Sequence, residues 1–197
     1  MPGQTPIYQL PYPLQTDPIY QGANQVKALA ERFETVLSAA EVPPVTYTPP
    51  ESAQGYRQTT QSIPNATDTY VSWTHIDWDT ETSAGRPAML GATGITIRRT
   101  GVYAITASLP WAFGANGTRI LRVQRNRSGA LLELRRNEIP PTGLAACNDV
   151  AFQALLQVND LIRVIAFQNN GAALNVLGST TVPGDRAAFS ATLIRPS

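Results

Sequence analysis

Beyond about Thr59 the chain is cut into short apolar runs by turn residues at a nearly even beat, and this pattern most limits what it can fold into. YVSWTHIDW, GITIRR, GVYAITASLPWAF, TRILRVQRN, ALLELRR, DVAFQALLQV, DLIRVIAFQN, AALNVLG and AAFSATLI are rich in β-branched and aromatic residues. RTG, GANG, NRSG, PPTG, VND, QNNG and VPGD separate them. Seven to nine strands joined this way predict a mainly β domain over residues 59–197, an antiparallel sandwich or jelly roll. LIRVIAF and FSATLI are apolar on both faces, whereas a sandwich strand normally turns one face to water. The surplus apolar face is expected to meet another subunit.

The first 58 residues are built differently. Prolines at 2, 6, 11, 13 and 18 remove backbone donors and hold their predecessors extended, so residues 1–22 read as an extended arm without a helix or a central strand. Tyr8, Leu10, Tyr12, Leu14, Ile19 and Tyr20 nevertheless make it apolar and aromatic, unlike a solvated tail. Such an arm is suited to lie in a partner's groove, and these six residues are the expected docking contacts. Residues 23–42 change to good helix formers, with Val26, Leu29, Phe33, Val36 and Ala40 in steps of 3, 4, 3 and 4. That spacing is a heptad seam, under three heptads long and marginal alone. Pro43 and Pro44 stop the helix, and residues 43–58 read as a Pro/Thr/Ser/Gln-rich linker.

Hydrophobic residues make up 43% of the 197, a globular value, yet no run approaches the roughly 18 to 20 apolar residues of a membrane span. The start of the chain has no basic segment followed by an apolar stretch, so folding in a cytoplasm is expected. Formal charge is +1, but residues 1–81 carry nine acids and three bases, while residues 82–197 carry five acids and twelve bases.

Few constellations suggest chemistry. His75 is the only histidine and Cys147 the only cysteine. A surface or interface role suits the first and a buried structural thiol the second, because neither has an orienting partner in sequence. In HIDWDTE, alternate positions place Asp77, Asp79 and Glu81 on one face if the strand continues, which offers oxygens to a hard cation such as calcium. A solvated acidic edge is the competing reading. Six arginines and one glutamate lie between Arg119 and Arg136, and Arg119, Arg122 and Arg125 with Trp111 form a candidate ligand surface for an anionic glycan. Nucleic acid is not expected, since stacking aromatics are not interleaved with these bases. Trp73, Trp78, Trp111 and Phe113 could stack on sugar rings, although core positions are the alternative. No phosphate loop, paired-cysteine spacing or HExxH is present, so neither an enzyme nor a cofactor is expected.

Residues 59–197 resemble the trimeric jelly rolls of the complement globular-head and tumour necrosis factor superfamily. The resemblance is carried by GITIRRTGVYAITASLPW, with its Gly-x-Tyr strand start, by LQVNDLIRVIAF and by the closing AAFSATLI; Asn159 and Ala191 stand where that family often has Gly. It implies a homotrimer, with residues 23–42 as a short trimerising helix. The N-terminal YQLPYPLQTDPIYQGANQVKALAERFE resembles the opening of tailed-bacteriophage virion proteins. That implies an attachment arm binding capsid or tail proteins and a head displayed on the virion surface. A capsid decoration protein or head fibre is the expectation. The alternatives are a tail-tip or tail-fibre protein recognising a host-surface glycan, and a soluble carbohydrate-binding module.

Overall fold

The computed structural model describes residues 3–4, 11–12, 26–33, 35, 50–114, 116–140 and 146–197. The chain forms two compact units, Met1–Thr48 and Pro49–Ser197.

In the first unit β1 (Gly3–Gln4) pairs antiparallel with β2 (Pro11–Tyr12), Gly3 facing Tyr12. A two-stranded ribbon leaves each strand one unpaired side, which is where a strand proline is tolerated. The helix α1 covers residues 26–33, and Thr35 is also helical. Lys27 and Glu31 face each other one turn apart at 3.7 Å, a pair too exposed to contribute much. Val26 and Phe33 are 61% and 55% exposed, and Leu29 is half-buried. Val36 and Ala40 of the seam, and Tyr8, Leu10, Leu14, Ile19 and Tyr20 of the arm, lie outside the described residues.

The second unit is a sandwich of two antiparallel sheets. The first contains β3 (Ser52–Tyr56), β4 (Gln61–Ile63), β6 (His75–Asp79), β9 (Gly101–Trp111), β12 (Ala146–Leu156), β14 (Leu174–Val176) and β15 (Ala188–Pro196). Its order is β4-β14-β9-β15-β3-β6, with β12 pairing along the whole of β9. The second contains β5 (Thr69–Tyr70), β7 (Leu90–Gly91), β8 (Gly94–Thr96), β10 (Arg119–Arg127), β11 (Ala130–Ile139) and β13 (Leu161–Gln168), ordered β11-β10-β13-β8-β7 with β5 on β13. The short helix α2 (Thr80–Ser83) follows β6.

Alternation builds the core. Along β9 Tyr103, Ile105, Ala107, Leu109 and Trp111 point inward and are buried. Leu121 and Val123 of β10, Ile162, Val164 and Ala166 of β13, and Phe189, Ala191 and Leu193 of β15 meet them. Burying a large side chain of this kind contributes about 1.5 to 3 kcal/mol, and the core that these strands share lies wholly within the second unit.

Three backbone positions explain how the sequence reaches this register. Gly101 opens β9 where a Cβ would lie 2.5 Å from the Arg195 carbonyl oxygen, so only glycine fits. Asn159 turns β12 into β13 at φ +69°, a left-handed conformation that asparagine accepts almost as glycine does. Gly55 lets β3 cross Leu90, whose Cδ2 would lie 2.2 Å from a Cβ.

That last strand corrects the expected boundary. Residues 52–56, read as linker, form β3 between β15 and β6, with Ala53 fully buried and Tyr56 7% exposed. SAQGY has little strand propensity of its own; its neighbours impose the conformation. The surplus apolar face of LIRVIAF is also covered from within: Ile165 is only 5% exposed, sharing a cavity wall with Tyr70 and Leu131.

Candidate functional site

The outward face of the first sheet is the most unusual surface of the head. Val102, Ala104, Thr106 and Ser108 of β9 lie between Leu155, Gln153, Ala151 and Asp149 of β12 on one side and Thr192, Ser190 and Ala188 of β15 on the other. Thr106 stands opposite Ala151 and Ser190, and the Thr106 and Ser190 hydroxyls are 2.6 Å apart. Ser52 and Thr192 hydroxyls continue the row at 3.1 Å, and the Trp78 indole N–H donates to Ser52 Oγ at 2.8 Å. Hydroxyls spent on one another need less water. Between Val102 and Ser108 the only charged neighbour at sheet level on this face, apart from Arg195 at the edge, is Asp149. Scarce charge is a property of an interface centre rather than of a solvated sheet face. Where β12 ends, Leu155, Val158 and Ile194 are each more than half exposed.

Cys147 belongs to this face. It was expected to be buried, but strand parity points Asn148 inward instead, and Cys147 is exposed. Its sulfur lies 3.2 Å from Ser108 Oγ, and partial burial there pushes the thiol pKa up. Fully buried Asn148 accepts from the Trp111 indole at 2.7 Å and donates to Asn137 Oδ1 at 2.7 Å, forming a polar clasp between the sheets.

The expected ligand surface does not assemble. Trp111 and Arg119 are fully buried. Arg119 shares the inward parity of Leu121 and Val123, donates Nη2 to the Gly114 carbonyl, and is held below its usual pKa by burial. Arg125 has the same parity, whereas Arg122 points outward and pairs with Asp68. Nor do the tryptophans form one platform. Trp73 is buried against Phe189 at 5.4 Å between centroids, while Trp78 and Phe113 are exposed.

The three carboxylates also separate. Asp77 accepts from Gln54 and lies 3.4 Å from Arg186. Asp79 is buried as the N-cap of α2, taking the N–H groups of Glu81 and Thr82 on Oδ1 and those of Met89 and Leu90 on Oδ2. Glu81 is 2.7 Å from Arg86, and its pKa is raised by burial, with Glu51 and Asp79 adding to the effect and Arg86 opposing it. The strand does not continue through them because α2 starts at Thr80. Among the described residues no group of three or more His, Cys, Asp or Glu side chains is arranged to hold a metal. His75 is an exposed residue whose ring lies 4.6 Å from that of Tyr56. Among the described residues no helix is long and apolar enough to cross a membrane.

This two-sheet architecture defines a jelly roll of the tumour necrosis factor and complement globular-head type. The solved structure of Eiger TNF from S. frugiperda superposes with a TM-score of 0.58 at 12% identity, over 76% of this chain and 95% of that one. Murine APRIL matches with a TM-score of 0.54 at 18% identity, over 74% and 99%. The globular domain of a zebrafish complement 1qA protein matches at 0.50 and 14%, over 75% and 99%. At these identities the likeness is one of fold. No protein-family model and no curated protein sequence matches the chain.

Proposed function

We propose that the chain is a non-enzymatic structural protein of a tailed-phage particle, a homotrimer whose heads pack through the outward face around Thr106, Ala151 and Ser190. Three copies place three such faces around one axis, where small uncharged side chains let sheets approach with little desolvation cost. The scarcity of charge on that face carries the reading. Its supports are the fold and the seam residues Val26 and Phe33, which a single copy leaves more than half exposed.

The arm, residues 1–22, then docks on the particle and residues 23–42 knit three chains together. Helix and head in one chain raise each other's effective concentration, and three weak arms acting together give avidity without a new kind of contact. A capsid decoration protein or head fibre is the favoured reading, and a tail-tip receptor binder is the alternative. Cryo-electron microscopy of intact particles tests this. Threefold density on the shell, retained on tail-less shells, supports the capsid reading. Density only at the tail tip supports the receptor binder, and absence from particles overturns both.

A further inference from the structure

On the outward face of the second sheet, away from the proposed assembly face, a cavity of about 200 Å³ is lined by Asp68, Tyr70, Gln124, Leu131 and Ile165. Four strands supply its walls: β5 gives Tyr70, β10 Gln124, β11 Leu131 and β13 Ile165, so the group is held by sheet register rather than by a loop. Ile165 forms an apolar floor at 5% exposure, and the Tyr70 ring, 42% exposed, is steadied by the Arg163 guanidinium 4.9 Å from its centroid.

The polar atoms are already sorted. The Tyr70 hydroxyl donates to Gln124 Oε1 at 3.2 Å, which leaves the Gln124 amide nitrogen as a donor. Arg122 occupies Asp68 Oδ1, leaving Oδ2 as an acceptor. The surrounding face holds Arg122, Arg136 and Arg163 against Asp68, Glu133 and Glu138, so its formal charges balance. An aromatic wall, an apolar floor, the Gln124 donor and the Asp68 acceptor complement a ring with a C–H face and an edge of hydroxyls. The volume is below the roughly 300–1,000 Å³ of sites for larger ligands, which limits the occupant to a single ring.

We infer that this cavity binds one neutral hexopyranose residue, its C–H face on Tyr70 and its hydroxyls on Asp68 Oδ2 and the Gln124 amide nitrogen. The inference rests on the head alone and holds whether or not the particle reading does.

Calorimetric titration of the full-length protein with the methyl glycosides of glucose, mannose and galactose, and with glucuronate as an anionic arm, tests it. At least one neutral glycoside is expected to bind with a Kd of about 1–10 mM. Tyr70→Ala should weaken it at least about tenfold and Gln124→Ala several-fold, the second variant leaving ring and ion pair in place. Circular dichroism checks that each variant folds; if Tyr70→Ala does not, Gln124→Ala decides. No neutral binding up to about 100 mM, binding of glucuronate alone, or unchanged affinity in a folded variant would overturn the assignment.

Discussion

Arg127 grips the fully buried carboxylate of Asp160 through two bonds, Nε to Oδ1 at 2.6 Å and Nη2 to Oδ2 at 2.7 Å. The Gln157 N–H adds a third at 2.8 Å, so the turn between β12 and β13 is tied to the end of β10. Burial alone would raise the Asp160 pKa, but the bonds from Arg127 and Gln157 outweigh it and the net shift is downward. A depressed folded-state pKa means that the stabilisation is whole above the unfolded value, about 3.9, and is lost as pH falls through the folded value. Asp160→Asn should therefore be less stable than the native chain at pH 7, with the gap narrowing as pH falls below the unfolded value of about 3.9. Urea unfolding at pH 7 and below that value checks this, and a gap independent of pH would contradict it.

The clasp between the sheets makes a second prediction. Asn148→Leu leaves the Trp111 N–H buried without an acceptor and should cost about 1 to 3 kcal/mol of unfolding free energy. Trp111→Phe opens core volume in either background but removes the orphaned donor in this one, so it should cost less beside Asn148→Leu than in the native chain. Denaturant titration of the three variants gives the comparison, and an additive pair would mean that the bond is not the cause.

The assembly face makes a third. Thr106→Arg places a long cation among small side chains opposite Ala151 and Ser190, where packed copies would have to bury it unpaired. The variant should fold, show native circular dichroism and sediment as a single chain. Alkylation of Cys147, whose sulfur lies beside Ser108 on this face, should be slow in the native assembly, where packed copies would cover it, and faster in the variant. Equal rates and an unchanged mass would place the contact elsewhere.

The helix and arm make a fourth. Replacing Leu29 and Phe33 with Asp should weaken particle attachment more than head folding, and deleting residues 2–20 should leave a trimer that no longer attaches. Particle co-sedimentation with thermal unfolding of the head separates the two effects. Normal attachment by both variants would remove the seam and the arm from the mechanism.

Strand parity carried most of the information in the sequence. GVYAITASLPW, LQVNDLIRVIAF and AAFSATLI became β9, the turn with β13, and β15, because their inward positions are uninterruptedly apolar and their turns hold Gly or Asn where the backbone demands it. The same rule, applied to TRILRVQRN, would have put Arg119 inside with Leu121 and Val123, and Trp111 follows Leu109 inward in the same way. Clustering by residue type hid that signal. β3 was not legible, since SAQGY becomes a strand only through β15 and β6. Nor was the separation of Asp77, Asp79 and Glu81, because a four-residue helix has no periodicity to read. The proposed assembly face shows in the sequence only as the other half of the alternation, poor in charge where a lone sandwich would carry it.

Sedimentation equilibrium of the purified full-length chain at micromolar concentration bears most directly on the whole account. It should return three times the 21.3 kDa of one chain, with Thr106→Arg lowering that mass. A native protein that stays at 21.3 kDa and remains soluble as concentration rises would contradict it.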